Sequence, residues 1–212
     1  MKKLVAIVCV IVMMLTVAVS SLANPSITEL AAEITEVETN VELEEEEEIA
    51  IVPADPETYE NAVVKEAVKK TNSKEESITV KDVAVMLSAV NDDVTSEGIL
   101  TLESEDGTTK TVDLEEYDFV ANFADLGISN GTEVSFDDNG EVVSVTATIA
   151  FDALQGADPA DLENYLIMLI NPTTGEMKFI ELDADSFDPE TGSLTVSFPF
   201  LGTFTLIQKT AE

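Results

Sequence analysis

The second half of the chain alternates apolar and polar residues with a period of two, the pattern of half-buried β-strands. It predicts four strands, at about 165–170, 176–182, 193–198 and 202–208. The last two strands are expected to bury one face and to expose the other. The inward residues are Leu194, Val196, Phe198, Phe204 and Leu206, and the outward residues are Thr195, Ser197, Thr203 and Thr205.

Two turns between these strands repeat one sequence pattern, Asn171-Pro172-Thr173-Thr174-Gly175 and Asp188-Pro189-Glu190-Thr191-Gly192. In each turn Asn or Asp comes first, Pro fixes the next φ, and Gly accepts a positive φ. Two further dipeptides predict hairpins earlier in the chain. Asp106-Gly107 lies within a hairpin at about 98–114, and Asn139-Gly140 separates the alternating segments 132–136 and 142–151.

Helices are predicted mainly between residues 55 and 127. Asp55 in the N-cap position, followed by Pro56 and Glu57, predicts a helix that runs to about Thr71. Its apolar stripe is Tyr59, Val63, Val64, Ala67 and Val68. Lysines at 65, 69, 70 and 74 fall near its C-terminal end, where they complement the helix dipole and neutralise nearby acids; the alternative is a binding patch for an acidic partner.

The segments 78–90 and 115–127 are expected to be helical as well. In the first, Thr79 and Asp82 fit a capping box, although the density of valine is typical of a strand. In the second, Phe119, Val120 and Phe123 are expected to point inward, and Gly127 is expected to end the helix.

The N-terminal residues 1–23 have the organisation of a secretory signal peptide. Lys2 and Lys3 precede a 16-residue apolar run, and the small residues Ser21 and Ala23 stand just before the expected cleavage point. A spanning helix needs about 20 residues, so we expect cleavage near Ala23 and a secreted, extracellular protein. The membrane is a partner only if this segment stays uncleaved.

Residues 24–55 are predicted to form a disordered acidic linker. Glutamates at 42 and 44–48 form a dense run of like charge, which favours an extended and solvated chain. Within it, residues 27–37 carry apolar residues at helical spacing and are consistent with a transient helix. We interpret the linker as a spacer; a cation-buffering or partner-binding tail is the alternative.

Together these patterns predict a mainly β, α+β fold with short helices. A small mixed unit of helices and a hairpin spans 56–129, and an antiparallel β-sandwich-like unit spans 130–209. The combined length is sufficient for one continuous core, so the pattern leaves open whether these are one domain or two.

The amino-acid composition excludes most of the side-chain chemistry that enzymes use. The chain has no His, Arg or Trp, and its one Cys, Cys9, lies in the signal segment. His-based proton transfer, Cys or His metal ligation and Arg clamping of anions are therefore missing. Removal of Lys2 and Lys3 with the signal takes the net charge from −33 to −35. Such a charge repels nucleic acid, which we exclude as a partner.

Carboxylates are the chemistry that remains. A Ca²⁺ site is considered at Asp183, Asp185, Asp188 and Glu190, since Ca²⁺ takes six to eight oxygen ligands. Phe187 occupies a position where a calcium-binding loop needs an oxygen, so turn formation is the competing explanation. Weaker clusters are Asp92, Asp93 and Glu97, and Asp137 with Asp138. We predict no catalytic residues and no obligatory cofactor.

The segments 164–182 and 187–209 resemble a β-rich module of secreted and wall-attached proteins of Gram-positive gut anaerobes. The similarity lies in strand, Asn-x-x-Thr-Gly turn, strand, second turn and a final apolar strand. It implies a non-catalytic immunoglobulin-like or related sandwich. Trp, common in that module, is missing, and the sequence shows no sorting motif, so covalent wall attachment is not expected.

The expected function is a secreted, non-catalytic structural or interaction module with another extracellular protein or a glycan as partner. An extracellular Ca²⁺- or carbohydrate-binding module is the alternative. A carboxylate-based glycoside hydrolase comes third, because paired carboxylates catalyse that reaction without histidine.

Overall fold

The computed structural model describes residues 30, 32–41, 43–73, 78–103, 107–130, 134–136 and 143–210. The predicted signal peptide 1–23, Glu42, Lys74, Asp106 and the turn at 137–140 lie outside these residues. The described chain is mainly β with short helices and antiparallel sheets, which confirms the predicted fold class.

The strands are β1 (Ala32–Thr39), β2 (Glu48–Pro53), β3 (Ile99–Glu103), β4 (Thr109–Asp113), β5 (Tyr117–Phe119), β6 (Ala124–Ser129), β7 (Val134–Ser135), β8 (Val145–Phe151), β9 (Tyr165–Ile170), β10 (Met177–Glu181), β11 (Ser193–Phe198) and β12 (Gly202–Lys209). The α-helices are α1 (Ala62–Asn72) and α2 (Val80–Leu87). Short 3₁₀ turns are Pro56–Thr58, Ser88–Val90, Leu114–Glu116, Asp152–Leu154, Pro159–Asn164 and Ala184–Ser186.

A seven-stranded antiparallel sheet, here called the central sheet, organises the molecule. Its main order is β10-β9-β12-β6-β2, with β5 paired to β12 and β7 paired to β6. The strand β9 shows how this sheet is covered on both faces. Ile167 and Leu169 pack into one hydrophobic cluster, and Leu166, Met168 and Ile170 pack into the other. The central sheet is therefore the middle of three layers.

The second layer is a three-stranded sheet with the order β1-β8-β11. Every second residue of β8 and β11 is buried against the central sheet, and Phe198 meets Phe204 of β12 with ring centroids 5.5 Å apart. The third layer consists of α1, α2 and the β3-β4 hairpin, whose apolar residues share one cluster with the opposite face of β9. The two facing sheets form the predicted sandwich, and the helical layer closes its other side.

Strand β12 corrects one expectation about the outward residues. Thr203 and Thr205 are fully buried, whereas Thr195 and Ser197 are exposed as predicted. Because β12 lies in the middle layer, both of its faces are covered from Gly202 to Ile207. The buried hydroxyls bond to backbone carbonyls instead, Thr205 donating to Ala121 over 2.7 Å and Thr203 to Ala124 over 3.3 Å.

The predicted helix over 115–127 is wrong. After a 3₁₀ turn the chain enters β5 and β6, both of which pair with β12. Gly127 lies inside β6, where a Cβ would collide with Val134 and with the Ser135 carbonyl of β7. Its role is thus close approach of a neighbouring strand rather than helix termination.

The helices predicted at 55–71 and 78–90 are present, but their bounds differ from the prediction. Asp55 does cap a turn, because its side chain accepts from the Glu57 N–H, but the turn is a 3₁₀ turn. A second cap, Asn61, starts α1, and Val63 of the predicted stripe is 40% exposed. Helix α2 begins with the predicted capping box of Thr79 and Asp82.

The described part of residues 24–55 is not a disordered linker, since it supplies β1 and β2. Strand β1 turns Glu33, Glu36 and Glu38 to solvent and packs Ile34 and Val37 against the core, with a register shift between Ile34 and Glu36. The acids therefore occupy the outward positions of a strand. Residues before Leu30 lie outside the described chain.

The predicted hairpin between 132–136 and 142–151 does not form as a pair among the described residues. Strand β7 joins β6 in the central sheet, whereas β8 joins the three-stranded sheet. The central sheet also takes strands from both sides of residue 130, which was the expected boundary between two units.

Candidate functional site

The proposed calcium ligands Asp183 and Asp188 are engaged by the backbone. Asp183 Oδ1 accepts from the Asp185 N–H over 2.9 Å, which caps a 3₁₀ turn. Asp188 Oδ1 accepts from the Glu190 N–H over 2.9 Å, and its Oδ2 accepts from the Thr191 hydroxyl over 2.9 Å. These bonds, the backbone one above all, lower the pKa of Asp188.

The four carboxylates do not converge. Asp185 and Glu190 are exposed, each contributing its N–H to an acid two residues earlier. Among the residues that the structure describes, no group of three or more His, Cys, Asp or Glu side chains is arranged to hold a metal ion. The Asp188 to Gly192 turn instead packs on the chain after β8, where the Gly156 N–H donates to the Pro189 carbonyl over 2.8 Å.

The second acidic cluster is also accounted for by local contacts. Asp93 pairs with Lys178 over 3.4 Å, and its neighbour Asn91 is buried. The Asn91 amide donates to the carbonyls of Leu87 and Gly175, and its oxygen accepts from the Met177 N–H over 2.6 Å. Asn91 also lines a shallow cleft, and its hydrogen bonds there connect the end of α2 to the start of β10. Asp137 and Asp138 lie outside the described residues.

The lysines of α1 serve neutralisation in this structure. Lys65 and Lys69 both contact Glu57, at 2.6 and 3.2 Å, and Lys70 contacts Glu66 at 2.9 Å. The two lysines lower the pKa of Glu57, chiefly through the hydrogen bond from Lys65.

A buried acid, Asp125 of β6, was missed by the sequence interpretation. It is 3% exposed, and its Oδ1 accepts from the Tyr59 hydroxyl over 2.5 Å while Oδ2 accepts from the Asp55 N–H over 3.1 Å. Burial raises the pKa of Asp125 and, more strongly, that of Tyr59. The contacts join the 3₁₀ turn before α1 to the central sheet, so this enclosed pair is structural.

The outer face of the three-stranded sheet is the most extensive uncovered sheet surface described, and we call it the outer sheet face. Opposed residues in the ladder form three rows across the strands. The rows are Glu33-Ala150-Ser193, Glu36-Thr148-Thr195 and Glu38-Thr146-Ser197. All side chains in them are exposed or half-buried.

Hydroxyls on this face pair laterally. Thr146 and Ser197 oxygens lie 3.0 Å apart, and Thr148 and Thr195 oxygens lie 3.1 Å apart. These pairs hold the side chains in a regular array along two strands, with the carboxylates of β1 beside them. The array offers hydrogen-bond donors and acceptors on a flat surface, which suits recognition of another polar surface.

The edges of the sheets carry features that oppose strand addition. Strand β1 has a bulge and three glutamates, and the Thr195 N–H of β11 donates to the Ser186 hydroxyl over 3.2 Å. The Met177 N–H of β10 is taken by Asn91, and β2 ends at Pro53. Such charges, bulges, prolines and covering contacts prevent edge pairing. The open surface is therefore a face rather than an edge.

Comparison of the chain with known protein families, with curated proteins and with solved structures gives no match. Among the described residues, none of the helices has both the length and the apolar character needed to cross a bilayer.

Proposed function

We propose that this chain is a secreted, non-catalytic interaction module that binds another extracellular protein or a glycan through the outer sheet face. The observation that carries the proposal is the position of this face. Both faces of the central sheet are buried, whereas the three-stranded sheet buries one face and presents ordered rows of hydroxyls and carboxylates on the other. An antiparallel sheet with one solvated face is a stable platform of this kind.

Two sequence features support the extracellular setting. Residues 1–23 have the organisation of a signal peptide, and the turn-and-strand pattern of 165–209 resembles modules of secreted and wall-attached bacterial proteins. The acids that suggested Ca²⁺ binding support the interaction role instead, because Asp183 and Asp188 hold turns at the border of the three-stranded sheet.

The proposal is tested by placing bulky side chains on the face. Thr148→Arg/Thr195→Arg alters one cross-strand pair at its centre, and Thr101→Arg/Thr111→Arg alters the matching exposed pair on the β3-β4 hairpin. The labelled mature protein is incubated with intact cells and isolated cell walls of the source organism. We expect the first variant to lose binding and the second to bind like wild type.

Two results would contradict the proposal. One is equal binding by all three proteins, which would place the contact elsewhere. The other is no retention of the wild type by cells or walls.

A further inference from the structure

Among the described residues, the lysines are confined to the central sheet and the helical layer. The seven lysines in the described residues all lie outside the three-stranded sheet and its connecting segments, and each contacts an acid within 3.7 Å or less. They are Lys65, Lys69, Lys70, Lys81, Lys110, Lys178 and Lys209. The cationic side chains of the described residues are thus paired with acids outside the three-stranded sheet.

The outer sheet face has the opposite character. Glu33, Glu36 and Glu38 are exposed, and no ion pair within the described chain involves them. Turn acids at the far border, such as Asp183 and Asp188, have the same sign. A face with one sign of charge attracts a partner of the other sign and raises its rate of association.

We infer that the partner of the outer sheet face is a Lys- or Arg-rich extended segment of another protein, an inference that rests on the proposed function. The spacing of the face supports an extended segment. Glu36 and Glu38 are two residues apart on one strand, which separates their side chains by about 6.6 Å. An extended peptide repeats its own side chains at the same distance, so alternate cationic residues meet alternate glutamates.

The hydroxyl pairs give this contact its second component. Thr146 with Ser197 and Thr148 with Thr195 lie in the same rows as Glu38 and Glu36. Polar groups between the cationic residues of the partner therefore face hydroxyls while its charges face carboxylates. Each exposed ion pair contributes little alone, so affinity depends on several pairs and falls as salt screens them.

A peptide of alternating Lys and Thr residues is the probe, with its Glu-Thr counterpart as the charge control. Amide shifts of the isotope-labelled full mature protein locate the contact, and a titration gives the affinity. The face variant is Glu33→Gln/Glu36→Gln/Glu38→Gln. The matched variant, Asp92→Asn/Glu97→Gln/Glu103→Gln, removes the same charge from exposed positions of the helical layer.

We expect shifts confined to β1, β8 and β11 and no binding of the Glu-Thr peptide. The face variant should weaken Lys-Thr binding about tenfold, and the matched variant at most about twofold. Equal weakening by both variants, shifts on the helical layer, or no binding of the Lys-Thr peptide would overturn the inference. Suppose that one of these results is found, but Thr148→Arg/Thr195→Arg still abolishes binding to cells. The inference of a cationic partner is then wrong, and the proposed function stands. If that variant also binds cells like wild type, the proposed function is wrong as well.

Discussion

Seven Asp and Asn side chains among the described residues accept a hydrogen bond from the backbone N–H two residues later. They are Asp55, Asn61, Asp113, Asp158, Asn171, Asp183 and Asp188. This repeated use explains why acids gather in turns without forming a ligand sphere. The side chain satisfies a donor that the turn leaves free, which is the mechanism by which Asx residues favour turns.

Asp188 separates this explanation from calcium binding. Asp188→Ala removes the acceptor for the Glu190 N–H and should lower the urea midpoint, whereas Asp188→Asn keeps an acceptor oxygen and should lower it less, by the contribution of the charge alone. Because the pKa of Asp188 is lowered, its charge contributes stability above the ordinary carboxyl pKa that is lost as pH falls through the lowered one. Calorimetric heat from Ca²⁺ that disappears in Asp188→Asn would contradict this interpretation.

At the scale of elements, Asp125 joins a turn to the middle of a sheet. The 3₁₀ turn before α1 approaches β6, and the Tyr59 ring also meets Phe136 edge-on at 6.1 Å. The carboxylate thus accepts hydrogen bonds from the Tyr59 hydroxyl and the Asp55 N–H. A buried carboxylate surrounded by neutral donors is tolerated but costs free energy when it ionises.

The stability of the protein should therefore carry a component that falls as pH rises. Burial raises the pKa of Asp125, so the folded protein retains this proton to higher pH than the unfolded chain does. The stability contributed by protonated Asp125 is fully present at pH values below the ordinary carboxyl pKa. It is lost as the pH rises through the raised pKa of the folded protein. We expect the difference in unfolding free energy, Asp125→Asn minus wild type, to increase between acidic and neutral pH in urea titrations.

Tyr59→Phe is the companion variant. It keeps the carboxylate and removes one donor, so it should destabilise the protein by about 1–3 kcal/mol and steepen the pH dependence. A difference between Asp125→Asn and wild type that does not change with pH would contradict the assignment.

Local chemistry made many elements predictable from the sequence. The two Pro-Gly turns, the strands around them and the Thr79 capping box depend on neighbouring residues, and each is confirmed. Gly175 and Gly192 have the expected positive φ of 82° and 71°. Such signals act within a few residues and do not require knowledge of the tertiary fold.

The pairing of strands that are distant in sequence was not predictable in the same way. Residues 117–119 and 124–129 form strands because β12 lies beside them, and the acidic segment 32–39 forms one because β8 does. Likewise, Asp125 gains its importance from residues 66 positions away. No local pattern distinguishes these acids from solvated ones, so pairing over long distances overrides local preference.

At the scale of the whole molecule, the central sheet combines strands from both expected units. Strands β5 and β6 from 56–129 bond to β12 from 130–209, and β2 precedes both units. Each of the two apolar clusters packs against one face of this sheet. Neither half therefore completes its core without the other.

We expect the described chain to unfold in one cooperative transition. Far-ultraviolet circular dichroism and tyrosine fluorescence should give the same urea midpoint, and a fragment of residues 56–129 should remain unfolded because it lacks β12. Two separate transitions, or a fragment with dispersed amide resonances, would show instead that the first unit folds alone.

Strand β12 follows all the other described strands, yet it forms the ladders with β9, β6 and β5. Synthesis delivers the N-terminal strands first. Until β12 emerges, its three neighbours lack the partner between them, and their long-range pairing is slow to form. Postponed closure of this kind fits the proposed secretion, since an unfolded chain is the form that passes through a narrow translocation pore.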